Sequence, residues 1–266
     1  MTFKRFSFTI FTLLLIFDFT FAQSPYKLDL TKDAAVIGTG IASSVTALII
    51  DSKVKSLSIE EINKLSLDDI NSFDRGAAYN WSEDYSLASD LLVSFSAAAP
   101  ALLFLSEKVR KDFITVSAMY LETMIYSMAL PYLAKGSFQR ARPFVYNKNV
   151  SLEEKLLPDA KKSFFSGHTT MAFSTAVFLS TVYGDYFPDS KNKPYVWAGS
   201  LLIATLTGYS RYEAGKHFPT DIIAGAIVGS AIGYIIPLIH RQSSEQISLN
   251  PASTNRAFGI SFEYRF

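Results

Sequence analysis

Six uncharged stretches of helix length, separated by polar loops, constrain this chain more than any other feature of its sequence. They run over 34–50, 91–106, 113–134 (interrupted only by Glu122), 169–184, 195–210 and 222–239. Greasy helices in succession bury their flanks only against one another or in lipid. The pattern therefore predicts a mainly α fold, a helical bundle of about six core or membrane helices. A bilayer span takes about 20 apolar residues, and five of these six stretches are 16–18 residues long. That length fits a short span and a core helix equally.

The flanks divide the chain further. "MTFKRFSFTIFTLLLIFDFTFAQS" places Lys4 and Arg5 before an apolar run and small residues near Ala22, which reads as a signal peptide over 1–22. An uncleaved anchor is the rival reading, and Asp18 inside the run weighs against it. Residues 23–86 are expected to be N-terminal helices packing on the bundle. There Ser58 precedes Glu61 by three and Ser66 precedes Asp69 by three, the signature of two short, capped amphipathic helices. Residues 87–242 form the bundle domain. The tail, 243–266, ends in "AFGISFEYRF", whose alternation of Phe258, Ile260, Phe262, Tyr264 and Phe266 is strand-like. It pairs locally, docks on a partner or stays mobile.

Charge narrows the partners. The net charge is +1 with no basic stripe, so no electrostatic footprint for nucleic acid exists. The chain has no cysteine, which removes disulfides and thiolate metal sites.

Three clusters combine phosphate-binding side chains with a helix boundary. In "KGSFQRARP", Lys135, Arg140 and Arg142 offer a point charge and planar forks suited to an anionic oxygen cage. In "SFFSGHTT", Ser166, Gly167 and His168 open a helix, where free N–H groups and the dipole favour an oxyanion and glycine permits close approach. Ser166 lacks the elbow of a nucleophilic serine and is assigned to hydrogen bonding. In "SRYEAGKHFPTD", Arg211 adds another fork, and His217 stands four residues before Asp221. The spacing predicts that Asp221 accepts from one ring nitrogen and leaves the other a free lone pair, the making of a histidine nucleophile. A zinc site from His168, His217 and Asp221 is the rival; Lys135, Arg142 and Arg211 in the same pocket would repel a divalent cation and welcome a phosphate dianion. No metal and no cofactor is expected there. His240, the third histidine, reads as an ordinary hydrogen-bonded residue.

In order and spacing, Lys135-x6-Arg142-Pro143, Ser166-Gly167-His168 and Ser210-Arg211-x5-His217-x3-Asp221 resemble the three-part signature of the type 2 phosphatidic acid phosphatase superfamily, which also holds bacterial acid phosphatases and vanadium haloperoxidases. The resemblance implies a helical bundle. It implies that Lys135, Arg142, Ser166, Gly167 and Arg211 hold phosphate, that His217 attacks phosphorus, that Asp221 orients it, and that His168 protonates the leaving alcohol. One departure is Phe165, where the family usually has proline. The implied activity is a metal-independent phosphatase acting on a lipid phosphate or pyrophosphate through a phosphohistidine. The alternatives are a soluble periplasmic acid phosphatase acting on small phosphate esters and a non-catalytic protein that binds anionic headgroups. The haloperoxidase branch ranks below these, because its chains are much longer.

The positive loops "SEKVRKD" (106–112) and "HRQ" (240–242) read as cytoplasmic, which puts the three clusters on the periplasmic side of a bacterial inner membrane. A cleaved signal followed by six crossings would invert this, so 34–50 is expected to pack without crossing.

Overall fold

The computed structural model describes residues 24–242 and the backbone of 247–254 and 257–264; the signal reading of 1–22 falls outside the described residues. In chain order the helices are α1 (Leu30–Asp51), α2 (Ile59–Lys64), α3 (Glu83–Ala98), the one-turn α4 (Glu107–Arg110), α5 (Phe113–Phe138), the one-turn α6 (Pro143–Tyr146) and α7 (Leu152–Lys155), α8 (Gly167–Tyr186), α9 (Lys193–Glu213) and α10 (Pro219–His240). Five of the six long ones cover the uncharged stretches; α3 covers only the first half of 91–106, which continues as a 3-10 helix over 99–105, and together the six form the expected helical bundle. Strands β1 (Ile247–Thr254) and β2 (Ala257–Tyr264) pair as an antiparallel hairpin, with Ile247 opposite Tyr264. The terminal alternation thus finds its partner locally.

Helix α8 is the centre, with α3, α5, α9 and α10 all packed against it. Its buried face is rich in hydroxyls, which bond back along the helix, Thr170 to the Ser166 carbonyl at 2.8 Å and Thr175 to that of Met171 at 3.0 Å. Satisfied in this way, a polar helix can be buried without penalty. A stripe of Gly225, Gly229 and Gly233 on α10 meets it. A Cβ at these positions would lie 2.7, 2.3 and 2.2 Å from the carbonyl oxygens of Ser166, Thr170 and Ser174. The two backbones therefore touch, and the start of α10 is locked beside the start of α8. Away from that end, Val116, Met119, Phe178, Val182 and Ile236 make the main apolar core.

Four segments are long and apolar enough to cross a membrane: 30–51, 83–105, 113–146 and 219–240. Large apolar side chains stand exposed on them, Leu48, Leu91, Ile114 and Ile227 among others, as lipid-facing surfaces require. The chain is a membrane protein. Helix α1 is among the four, so length and apolarity do not mark 34–50 as the stretch that fails to cross. The two capped segments also differ from expectation in one respect. Ser58 and Glu61 cap α2 reciprocally, but Ser66 and Asp69 cap only a 3-10 turn over 67–69, because Ile70 turns extended to bury its side chain.

Candidate active site

All three sequence clusters meet at one end of the bundle. Lys135 lies in the last turn of α5, which Gln139 ends in the left-handed region (φ 44°), releasing Arg140 and Arg142 into a link that crosses the bundle end. Ser166 caps α8 at its N-terminus, and Gly167 and His168 form its first turn. Arg211 sits in the last turn of α9. Gly215 (φ +68°) turns the chain toward His217; a Cβ there would lie 2.1 Å from the Asn80 carbonyl oxygen, so only glycine fits. Asp221 is in the first turn of α10.

His217 is almost fully buried. Its Nδ1 lies 2.8 Å from the Ser163 carbonyl oxygen, which can only accept, so Nδ1 carries the proton. Nε2 is then a bare lone pair, and it has no hydrogen-bond partner among the described residues. Burial, then Arg142, Arg211, Lys135 and His168, hold the ring well below the ordinary imidazole value. The imidazole is therefore neutral, basic at one nitrogen and surrounded by cations.

The expected hydrogen bond from His217 to Asp221 is not present. Asp221 Oδ2 lies 3.8 Å from Nδ1 and instead accepts from Ser163 Oγ at 2.5 Å and from the Phe218 N–H at 2.9 Å. The reason is local: His217 precedes the N-cap Phe218, so it is not helical and the spacing of four does not put it on a helix face with Asp221. Asp221 reaches the imidazole through Ser163, whose side chain it holds and whose carbonyl orients the ring.

Arg140 joins the same framework rather than an anion cage. Its guanidinium spans Asp221 (2.6 Å) and Asp74 (2.7 Å) and lies 4.1 Å over the Phe218 ring. Arg142, by contrast, is buried and bonds Asp159 at 2.7 Å. The Asp159 carboxyl, raised by burial but lowered more by Arg142, Lys135, Lys216 and Arg211, ends below its usual range. Arg211 donates to Ser89 at 3.1 Å, and its Nε has no partner among the described residues. The Lys135 ammonium stands against Gly167, where a methyl would meet it at 3.7 Å. Ser166 Oγ accepts from the Thr169 hydroxyl at 2.9 Å, which leaves its own proton to donate. His168 Nε2 is 2.7 Å from Asp90.

Asp90, Ser89, Ser163, Asp159 and Asp74 were not among the sequence candidates. Asp90 left a trace as the last charge before the apolar run of 91–106, and Ser163 opens the quoted stretch "SFFSGHTT" without being singled out; Ser89, Asp159 and Asp74 lie in loops or on helix faces that no spacing rule links to the three clusters. An apolar cavity of ≈ 250 Å³ between α3, α5 and α8, lined by Val93, Met128, Pro131, Tyr132 and Met171, opens onto Lys135, Gly167 and His168.

Residues 116–245 match the PAP2 superfamily. Over 146 residues the chain is 31% identical to a lipid A 4'-phosphatase of Porphyromonas gingivalis, covering 54% of this chain and 58% of the relative. Over 136 residues it is 29% identical to an undecaprenyl-diphosphatase of Sulfolobus acidocaldarius, covering 51% and 58%. The chain spans about half the length of the curated relatives it matches. Among solved structures, Aquifex aeolicus LpxE aligns with a TM-score of 0.45 and 25% identity, over 66% of this chain and 100% of that one.

Proposed function

From a chain that belongs to the PAP2 superfamily through residues 116–245, we propose a phosphatase that hydrolyses a lipid phosphate or pyrophosphate through a phosphohistidine. The observation that carries this reading is His217: buried, with its proton fixed on Nδ1 and an unpartnered Nε2 lone pair inside a cage of Lys135, Arg142 and Arg211.

Phosphate enters among these three cations, with the Ser166 hydroxyl and the Gly167 N–H at the start of α8 completing the cradle. The Nε2 lone pair of His217 attacks phosphorus, the bond to the leaving oxygen breaks, and the imidazolium of His168 gives that oxygen its proton. Asp90 accepts from Nε2 of His168 and holds it for the transfer. Water, losing a proton to the now neutral His168, then attacks phosphorus, the N–P bond breaks and inorganic phosphate leaves. No step draws on a metal ion in this pocket. A general acid so placed contributes about 10²–10⁴ in rate.

Two features support a lipid substrate. The apolar cavity leads from the cation cage to the flank of α3 and α5, which are among the apolar candidate spans, so an acyl or isoprenoid chain reaches the bilayer while its phosphate sits on Lys135. The relatives named as a lipid A 4'-phosphatase and an undecaprenyl-diphosphatase point the same way. The pocket is assigned to the periplasmic face of a bacterial inner membrane, because the positive loops at Lys108–Lys111 and Arg241 lie at the opposite end of the bundle.

The test is phosphate release from a panel of lipid and soluble phosphate esters, with His217→Ala and orthovanadate as probes and radioactive phosphate as the label. Acid-labile label on the wild type, none on the variant, and faster turnover of lipid esters are expected. Turnover that survives His217→Ala overturns the mechanism. Phosphate binding without turnover in the wild type makes the chain a headgroup-binding protein.

A further inference from the structure

His240 is a buried, hydrogen-bonded residue, as its sequence context indicates, but its partners go beyond that context. At the far end of the bundle it is buried with Asp33 of α1 and Glu122 of α5, one ligand atom from each lying within 4.8 Å of the others. Lys135 follows Glu122 by thirteen positions on α5, about 20 Å along the helix, so this cluster is distinct from the phosphate pocket. His240 Nδ1 donates to the Ile236 carbonyl at 2.8 Å. That leaves Nε2 facing two carboxylates, Asp33 Oδ1 at 2.8 Å and Glu122 Oε2 at 3.4 Å. Glu122 is 0% exposed, and neither of its oxygens has a hydrogen-bond partner among the described residues.

We propose that Asp33, Glu122 and His240 bind a divalent transition-metal cation, of which zinc fits best. Three arguments converge. A bare Nε2 lone pair against carboxylate oxygens is repulsive, so a cation or a proton must stand between them. A single proton on His240 leaves one carboxylate charge uncompensated in the interior, and a second proton on Glu122 would stand without an acceptor among the described residues, whereas a divalent ion neutralises both carboxylates and engages their oxygens. The donor set of one imidazole and two carboxylates suits zinc at about 2.0–2.2 Å, for which tetrahedral ligand atoms sit about 3.4 Å apart; the Nε2 to Oε2 distance equals this, and Asp33 Oδ1, at 2.8 Å from Nε2, would swing outward by a few tenths of an ångström to take its place. An imidazole whose other nitrogen donates to a backbone carbonyl is also the usual arrangement of a metal-bound histidine. Asp33, 16% exposed at its side chain, leaves the fourth position for water.

The role of the ion is structural. Only Gly40 and Ala47 of α1 are buried, so this peripheral helix has little core of its own, and a metal held by α1, α5 and α10 clamps it in place.

The experiment is elemental analysis of the full chain purified in detergent without chelator, followed by chelator stripping and reloading with zinc or cobalt. About one equivalent of zinc per chain is expected, with cobalt giving the visible absorption of a tetrahedral site. Zinc at a hundredfold excess over its dissociation constant raises the thermal midpoint by roughly 5–10 °C. Glu122→Gln and His240→Gln each bind about ten- to hundredfold more weakly or not at all, and the stripped protein keeps its turnover at 25 °C. His217→Ala keeps the metal while losing turnover, which separates this proposal from the phosphatase reading. Wild type that retains no zinc, cobalt or manganese and shows no midpoint shift overturns the site. So does undiminished metal content in both Glu122→Gln and His240→Gln. Should both variants misfold, Asp33→Asn and the wild-type stoichiometry still decide.

Discussion

His217, the proposed nucleophile, owes its tautomer to a backbone carbonyl, and that has a measurable consequence at Asp221. A carboxylate bonded directly to a catalytic imidazole costs about 10⁴ in rate when it becomes an amide. Here the Ser163 carbonyl holds Nδ1, so Asp221→Asn should cost only about 10–100-fold in kcat, the scale of a supporting contact, with vanadate affinity nearly unchanged. A loss as deep as that of His217→Ala would place Asp221 directly on the imidazole during the reaction. His168 yields a second prediction, in pH. Burial first, and Arg211 next, against the pull of Asp90, hold its pKa at about 4 among its protein neighbours. A bound phosphate dianion offsets Arg211 and Lys135 and so favours the imidazolium, raising that pKa. Because the proposed reaction needs the proton on His168, rate should fall as pH rises through the pKa of each state. The alkaline decline of kcat/KM, which reports free enzyme, should therefore begin at lower pH than that of kcat. His168→Asn should abolish the separation, and coincident declines would argue against His168 as the acid. The eight candidate residues that the sequence singled out lie together at one end of the bundle, and they were legible because phosphate chemistry needs cations, a helix start and a histidine in a fixed order. Arg140 was grouped with the cations because composition cannot tell a guanidinium aimed at phosphate from one spanning Asp74 and Asp221. Ser163 was invisible because its contribution to the ring is a carbonyl, which every residue has.

At the scale of elements, the site depends on how closely α8 and α10 approach. The uncharged stretches made six helices legible, since hydropathy is read locally, but which helices touch backbone to backbone is a tertiary fact. Gly225, Gly229 and Gly233 carried the only local sign of it, a small residue every fourth position. A methyl at Gly229 would sit 2.3 Å from the Thr170 carbonyl oxygen, which cannot move without breaking α8. Gly229→Ala should therefore destabilise by about 1–3 kcal/mol and lower turnover further by parting His217 from Ser166. Gly199, inside α9, has nothing within 4 Å of such a methyl, and Gly199→Ala should stabilise by about 0.5–1 kcal/mol through helix propensity alone. Thermal midpoints in detergent check both. Equal shifts in the two variants would mean that the α8 and α10 backbones are not in contact. The single strand expected at the C-terminus became a hairpin for a related reason. Residues 247–254 include Pro251 and Asn250 and show no clean alternation, so only pairing with 257–264 reveals them as a strand.

For the whole molecule, charge and chain path together make orientation testable. Helix α5 leaves the α4 turn, with Lys108, Arg110 and Lys111, and ends at Lys135; α10 starts beside His217 and ends at Arg241. The turn before α5 and the end of α10 thus carry Lys108, Arg110, Lys111 and Arg241 at the end away from the pocket, and the proposed orientation places these short positive segments in the cytoplasm. Helix α1 runs parallel to α5 and antiparallel to α10. Its end at Ile50 packs on Gly136 near the pocket, and Lys27, just before its start, donates its N–H to the His240 carbonyl at 2.9 Å. A leader cleaved after Ala22 would deliver Lys27 to the outside, yet the fold holds Lys27 beside Arg241. A chain segment bonded to the end of α10 shares its side of the membrane, so the side on which Lys27 lies tests the expected leader and the proposed orientation together. The absence of cysteine makes the measurement clean. Exposed Lys148, in the loop over the pocket, and exposed Asp189, between α8 and α9, are replaced singly by cysteine in intact cells, as is exposed Lys27. Lys148→Cys should react with a membrane-impermeant maleimide at once, and Asp189→Cys and Lys27→Cys only after permeabilisation. The inverse pattern would turn the pocket to the cytoplasm. Labelling of Lys27→Cys together with Lys148→Cys would require α1 to lie along the bundle without crossing, which its exposed Leu48, Ile49 and Val45 could tolerate only against another apolar surface.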